Sequence, residues 1–276
     1  MDRRTLLRLG AGVALASALP GCGADQDSPG ATMGDVETLT YGDDPSQMAE
    51  LHRPDGRSRG AVVVLHGGFW RASYDFTLGR PLAESLATHG WTALNLEYRR
   101  VGNGGGFPAT FDDVVNGVDL LAEVDGLDTS RVITLGHSAG GHLAVWAAGL
   151  AQLDEERWRP RVPVTAAVPQ AGVLDLRGAV DRGLGAGAVE GFLGAGGDEA
   201  FDLADPLARV PLDVPVRCIH GRGDDVVPIE QSRRYVNAAR AEGADAELIA
   251  LDGDHFMHID PSTPAWKRTL KILDEL

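Results

Sequence analysis

Gly136-His137-Ser138-Ala139-Gly140-Gly141 is the stretch that decides the fold of this 276-residue chain. Ahead of it runs Arg131-Val132-Ile133-Thr134-Leu135, an apolar strand pattern, and behind it His142-Leu143-Ala144-Val145-Trp146-Ala147-Ala148 reads as a helix. Gly-x-Ser-x-Gly between a strand and a helix puts a serine at the tip of a tight turn. The turn lifts the hydroxyl clear of the backbone, and its small neighbours let strand and helix approach. The amide after the serine then faces the reacting centre. A serine hydroxyl is a poor nucleophile alone, so the reading needs a base and an orienting acid further along. The plain alternative is a Gly/Ser turn without chemistry.

Both partners follow, each after a predicted strand. Residues 215–219 form a short apolar run that leads into His220-Gly221-Arg222-Gly223-Asp224-Asp225-Val226-Val227-Pro228, and residues 246–251 form another, ending in Asp252-Gly253-Asp254-His255-Phe256. The order Ser138, Asp224, His255 is one of three chain orders known for this type of triad, distinct from those of chymotrypsin and subtilisin. In an open parallel sheet, sites assemble at the C-terminal edge of the strands, where all three candidates fall. His255 is expected to take the proton from Ser138, and Asp224 to hold the imidazole in the right tautomer. Asp225 and His258 are rivals for these roles. Asp224 is preferred for its place four residues before Pro228, and His255 as the first histidine after the strand. Asp254 is adjacent to His255 in sequence, and neighbouring side chains rarely point at each other.

A further element lies upstream in Ala61-Val62-Val63-Val64-Leu65-His66-Gly67-Gly68-Phe69-Trp70. An apolar strand ending in His-Gly-Gly can turn backbone N–H groups toward a developing oxyanion. The expected oxyanion hole is the amides of Gly68 and Phe69 with that of Ala139. His66 reads as a brace for this loop. Trp70, Phe107, Phe192 and Phe256 are candidate walls of a substrate pocket, each equally readable as core packing.

On these residues the chain resembles the α/β-hydrolase superfamily, in particular hormone-sensitive-lipase-like esterases and kynurenine-formamidase-like or feruloyl-esterase-like hydrolases. The resemblance is carried by His66 to Trp70, Glu97-Tyr98-Arg99-Arg100, Phe107-Pro108-Ala109-Thr110-Phe111-Asp112-Asp113-Val114, Gly136 to Gly141, Asp224 to Pro228, and His255. It covers residues 36–276. The lipase-like branch has a third glycine in place of Phe69 and an acidic residue in place of His137, whereas His-Gly-Gly-x-Trp is similar to the formamidase branch. The resemblance implies hydrolysis of a small carboxylic ester through an acyl-enzyme on Ser138. It also implies a lid or cap where residues 175–210, rich in glycine, separate two strand patterns. Arylformamidase action on N-formylkynurenine is the alternative, and a non-catalytic tethered binding protein is the alternative of another class.

Composition is consistent with one α/β domain: 43% of residues are hydrophobic, enough for an ample core. Strand patterns at 61–65, 91–96, 131–135, 164–168, 216–219 and 247–251 alternate with helical ones at 78–88, 111–124, 142–151, 229–241 and 263–276. That alternation predicts a mostly parallel central sheet with helices on both faces. The formal charge is −15. Residues 1–21 hold three arginines and one aspartate, so their loss leaves −17. Such acidity argues against nucleic acid and against a polybasic hold on anionic lipid.

The N-terminus reads as a targeting segment. Asp2-Arg3-Arg4-Thr5-Leu6-Leu7-Arg8 is close to a twin-arginine export pattern, and Leu19-Pro20-Gly21-Cys22 resembles a lipobox with Cys22 as the lipidated residue. Residues 1–22 are then an export signal and 23–35 a flexible tether. The expected location is the outer face of a bacterial cytoplasmic membrane, by a lipid anchor, or secretion if Cys22 is incidental. The other cysteine, Cys218, sits in a strand pattern and reads as a core residue, so no disulfide is expected. No cysteine or histidine spacing suggests a metal site. The glycine-rich Val101-Gly102-Asn103-Gly104-Gly105-Gly106-Phe107 lacks the lysine and helix of a phosphate loop, so no cofactor is expected.

Overall fold

The computed structural model describes residues 36–276; the export signal, Cys22 and the tether expected over 23–35 lie outside the described residues. In chain order the elements are β1 (Glu37–Thr40), β2 (Met48–His52), β3 (Ala61–Leu65), α1 (Arg80–Thr88), β4 (Thr92–Leu96), α2 (Ala109–Asp119), β5 (Val132–His137) and α3 (Ala139–Ala148). They continue through β6 (Ala166–Gln170), α4 (Leu176–Asp181), α5 (Ala188–Leu193), α6 (Gly197–Ala204), β7 (Val216–Gly221), α7 (Glu230–Ala241), β8 (Ala246–Leu251) and α8 (Pro264–Glu275). The strands form one sheet in the order β1-β2-β4-β3-β5-β6-β7-β8. From β4 to β8 all neighbours are parallel, while β1 and β2 run antiparallel at one edge. This is the α/β-hydrolase fold.

Strand alternation explains the two layers of helix. On β3, Ala61, Val63 and Leu65 face one apolar core, which α2, α3 and α7 close through Phe111, Leu143, Trp146 and Tyr235. Val62 and Val64 point the other way, into a core closed by Leu82 and Leu86 of α1 and by Trp266 and Leu273 of α8. Both faces are therefore apolar, as a buried parallel sheet requires. The Trp266 indole N–H donates to Ser85 Oγ at 2.8 Å and ties α8 to α1.

The two antiparallel strands were not legible in the sequence. β2 carries Glu50 and His52 at buried positions, which breaks the apolar pattern. Glu50 is held by Arg80 Nε and Nη2 at 2.6–3.1 Å and by Asn95 Nδ2 at 3.2 Å. A paired carboxylate of this kind is tolerated inside because its lone pairs are filled.

Residues 175–210 fold as α4, α5, α6 and a final 3-10 turn at Pro206–Arg209. Their returning end is fastened along α3: His142 Nε2 donates to Ala204 O at 2.9 Å, Trp146 Nε1 to Leu203 O at 2.9 Å, and Arg209 Nη2 to Gly149 O at 2.7 Å. The last of these satisfies a carbonyl at the C-terminal end of α3, where a cation is favoured.

The central packing leaves no room at Gly140, on the first turn of α3. A Cβ there would lie 2.0 Å from Leu65 O and 2.5 Å from His66 O. Those atoms are backbone of β3 and its exit, so they cannot swing aside. Gly140→Ala is expected to destabilise by about 1–3 kcal/mol, a fall of about 2–4 °C in Tm for each kcal/mol. An unchanged melting curve would contradict this account of the elbow, the strand-to-helix turn at Ser138.

Candidate active site

Ser138 links β5 to α3 with φ 57° and ψ −119°, a conformation that side chains rarely adopt. Its amide donates to Gln170 O at the end of β6 (2.8 Å), and its carbonyl accepts from the His142 amide at 3.2 Å. The turn is thus held from both sides. The serine is 2% exposed and lines a cavity of about 130 Å³, which His255 also lines.

His255 and Asp224 emerge from the loops after β8 and β7. His255 Nδ1 donates to Asp224 Oδ2 at 2.7 Å. The other carboxylate oxygen accepts the amides of Val226 and Val227 at 3.0 and 2.8 Å. The two loops are stitched together by Arg222 N–H to Leu251 O (2.8 Å) and Gly223 N–H to Gly253 O (3.0 Å). The rivals are placed elsewhere. Asp225 is exposed, Asp254 accepts the amides of Phe256 and Met257, and His258 is buried with neither ring nitrogen hydrogen-bonded.

The Gly68–Phe69 loop runs alongside. Gly67 passes so close to the elbow that a Cβ on it would lie 3.1 Å from Ser138 Cβ. Phe69 and Trp70 follow at φ 52° and 55°, two consecutive residues in the left-handed region. The Ala139 amide opens α3, and the first amides of a helix have no acceptor within it. A buried polar group supports this loop from beneath. His66 Nδ1 donates to Gly67 O at 2.8 Å, and its Nε2 lies 3.2 Å from both Glu97 Oε1 and Arg100 Nη1. Arg100 Nη1 also bonds Glu97 directly, and Tyr98 stacks on His66 while donating to His66 O at 2.6 Å.

Three of the four expected wall residues do not border this cavity. Trp70 and Phe192, both 1% exposed, stack on each other at 4.6 Å, and Phe107 meets Phe111 and Trp158 edge-on. They build an aromatic layer between the elbow helix and the insertion, because large rings there bury more area than they would at an open mouth. Phe256 does line the cavity and is 58% exposed. The remaining walls are Phe69, Tyr74, Leu78, Val226 and Ile259, of which Tyr74 and Leu78 carried no sequence signal beyond being apolar. His137, beside the serine in the Gly-x-Ser-x-Gly motif, has a structural role that the motif does not reveal. Its Nε2 donates to the His255 carbonyl at 2.8 Å, with the two rings 4.4 Å apart.

Comparison with known proteins places these features in a family. The profile described as BD-FAE matches residues 50–238. Esterase LipC of Mycobacterium tuberculosis is 30% identical over 222 residues, covering 74% of this chain and 54% of the relative. Isoprenylcysteine alpha-carbonyl methylesterase ICME of Arabidopsis thaliana is 27% identical over 243 residues, covering 78% and 55%. The chain thus spans about half the length of the curated relatives it matches. Among solved structures, esterase B from Lactobacillus rhamnosis superimposes with a TM-score of 0.73 at 23% identity, covering 87% of this chain and 85% of the other.

Burial sets the ionisation around the site. Burial alone would raise the Asp224 carboxyl, but hydrogen bonds from His220, His255 and the Val227 amide outweigh it and hold the group well below the ordinary carboxylate range. Burial, then the neighbouring His255 and His258, push His137 down to about 3. His258 is pushed down to about 3 by burial and by His220 and His255, and His142 to about 4 by burial. Asp205, at the returning end of the insertion, is raised by burial to about 6.

These shifts predict acid sensitivity. In the unfolded chain the three histidines take up protons below about pH 6.5, while in the folded chain they stay neutral until pH 3 or 4. Asp205 acts the other way, binding a proton in the folded state below about pH 6 and so offsetting one of the three. The unfolded state then holds about two more protons between pH 6 and 4.5, so stability falls by about 2.7 kcal/mol per pH unit there. Urea unfolding at pH 7, 6 and 5 checks this; equal free energies at pH 6 and pH 5 would contradict it.

Proposed function

The chain belongs to the BD-FAE family, and from that membership and the geometry around Ser138 we propose that it is a serine esterase acting on a small, uncharged carboxylic ester. The observation that carries this reading is the His255–Asp224 hydrogen bond of 2.7 Å, with His255 and Ser138 lining one cavity beside the Gly68–Phe69 loop. His255 Nε2 takes the Ser138 proton as Oγ attacks the ester carbonyl. Asp224 fixes the tautomer and stabilises the imidazolium. The amides of Gly68, Phe69 and Ala139 receive the oxyanion, each contributing about 3 kcal/mol. When the tetrahedral intermediate collapses, His255 passes the proton to the leaving alcohol. Water then attacks the acyl-enzyme with the same histidine as base.

Size and polarity of the cavity point to the substrate class. Cavities of about 150 Å³ accommodate a benzene-sized guest, so about 130 Å³ suits a short acyl chain or a small ring. Beside Gly67, Gly68, His137, Ser138 and His255, its walls are Phe69, Tyr74, Leu78, Val226, Phe256 and Ile259, with no Lys, Arg, Asp or Glu among the described residues that line it. N-formylkynurenine carries an ammonium and a carboxylate, and both would meet apolar walls at high desolvation cost. This favours the ester over the arylformamidase alternative. The names of LipC and the Arabidopsis methylesterase lie in the same direction. A purely binding role is disfavoured because serine, histidine, acid and glycine loop are all present.

Residues 36–276 are read as one hydrolase domain, with 175–210 as its lid. Support for the lid is that Gly185 lies directly against the Phe69 ring, and the Arg71 guanidinium donates to the carbonyls of Gly185 and Ala186. Export and lipidation at Cys22 rest on the sequence pattern of residues 1–22.

Initial rates on p-nitrophenyl acetate, butyrate and octanoate, methyl ferulate and N-formylkynurenine test the reading. Acetate and butyrate are expected to exceed octanoate, with negligible turnover of N-formylkynurenine. Ser138→Ala should abolish turnover while leaving substrate affinity. Dominant formylkynurenine activity, or turnover that survives Ser138→Ala, would overturn the proposal. Asp224→Asn should lower kcat by about 10⁴-fold, while Asp225→Asn should stay within about twofold of the parent, as expected for an exposed residue outside the contact.

A further inference from the structure

His220 stands at the end of β7, fully buried, and the mechanism above does not use it. Its Nδ1 is 2.8 Å from Ser232 Oγ on α7. Its Nε2 is 2.8 Å from the Val227 carbonyl and 3.3 Å from Asp224 Oδ2. A carbonyl and a carboxylate can only accept, so Nε2 carries the proton. Nδ1 is then a lone pair, and the Ser232 hydroxyl donates to it. The tautomer of His220 is fixed by its surroundings.

Asp224 consequently receives three hydrogen bonds and one longer contact. The Val226 and Val227 amides meet Oδ1, the His255 Nδ1–H meets Oδ2, and the His220 Nε2–H, bonded to the Val227 carbonyl at 2.8 Å, lies 3.3 Å from Oδ2. The Asp224 and His220 side chains are both 0% exposed, so water cannot replace a missing donor. The other titratable groups turned toward this pair are His258, from the loop after β8, and His137, from the elbow. Both remain neutral in the working range, so neither competes with His255 for the carboxylate.

We propose that His220 is a positioning residue that holds Asp224 in place for His255, extending the site to the chain Ser138–His255–Asp224–His220. This rests on the reading above that Ser138, His255 and Asp224 carry ester hydrolysis. His220 acts in two ways. It ties the Val227 carbonyl of the acid loop to Ser232 on α7, and the positive edge of its N–H lies against Oδ2, which limits how strongly Asp224 draws the His255 proton. Loss of that donor makes the carboxylate more basic, so the His255 imidazolium becomes easier to form and harder to discharge.

Asn and Gln at this position separate the Nδ1 contact from those at Nε2. His220→Asn keeps an amide near Nδ1, facing Ser232, and removes the N–H that bonds the Val227 carbonyl and faces Asp224. His220→Gln places an N–H near Nε2. With p-nitrophenyl acetate, His220→Asn is expected to lower kcat about 10–100-fold, the range for a hydrogen bond to a charged group. KM should be unchanged, and the acidic limb of kcat/KM should move to higher pH. His220→Gln should restore most of the rate and return the limb. Ser232→Ala, which frees the tautomer, should move the limb in the same direction as His220→Asn. The proposal is overturned if His220→Asn keeps the parent profile, or if the rate loss tracks a lowered Tm and Gln does not rescue it. Should His220→Asn fail to fold, an unmoved limb in Ser232→Ala overturns it. Ser138→Ala in the same series keeps the premise separate: full turnover there sinks the triad reading, whereas an inactive Ser138→Ala beside an unmoved His220→Asn sinks only the role of His220.

Discussion

The backbone at Ser138 sits at φ 57° and ψ −119°, a conformation costing about 1–3 kcal/mol unless its surroundings enforce it. The enforcement comes from four elements. Gln170 at the end of β6 accepts the serine amide, the His142 amide of α3 caps its carbonyl, and β3 crosses so tightly over Gly140 that only a hydrogen fits. β5 supplies the strand that enters the turn. The middle of the sheet is therefore built around one strained residue. Since β7 and β8 come next in the sheet order, their exit loops necessarily deliver an acid and a histidine to the same edge.

Around the cavity, carboxylates and a guanidinium lie behind its wall, and none lines it among the described residues. Glu97, Arg100 and His66 form one buried group behind the Gly68–Phe69 loop, and Asp224, His220 and His255 form another behind the serine. In each, the carboxylate is filled with donors, the condition under which a buried ion is tolerable. Burial by itself raises Glu97, yet its contacts with His66 and Arg100 bring it below its ordinary value. Between the two groups the cavity wall is apolar. Dipoles aimed into an apolar cavity act through a low dielectric, where amides stabilise an oxyanion more strongly than they would in water.

Much of this was legible in the sequence because the chemistry demands particular residue types. Glycine on each side of Ser138, two glycines after β3, and an acid and a histidine just past strands are local requirements, readable without the third dimension. The six parallel strands were legible for the same reason: residues buried on both faces give unbroken apolar runs. β2 escaped because Glu50 is made acceptable by Arg80, thirty residues away, a partnership no local pattern reveals, and β1 because its four residues are largely exposed. Likewise Trp70 and Phe192 have the composition of a pocket wall, and only their stacking across the fold identifies them as core. His220 lies four residues before Asp224, a spacing visible in the sequence, but the significance of its Nε2 depends on where the Val227 carbonyl turns.

The insertion between β6 and β7 is fastened unevenly. Its returning end is hydrogen-bonded to α3 at three points, whereas the turn joining α4 to α5 carries Gly183, Gly185 and Gly187 at positive φ and touches the site through Arg71 and Phe69. A segment whose return is tied to α3 by its backbone and whose turn is met only by the side chains of Arg71 and Phe69 is a modular part. Its tip can be lengthened, shortened or recoded while the anchored return keeps α3 in register, so the rim of the cavity can be reshaped without renegotiating the fold beneath it.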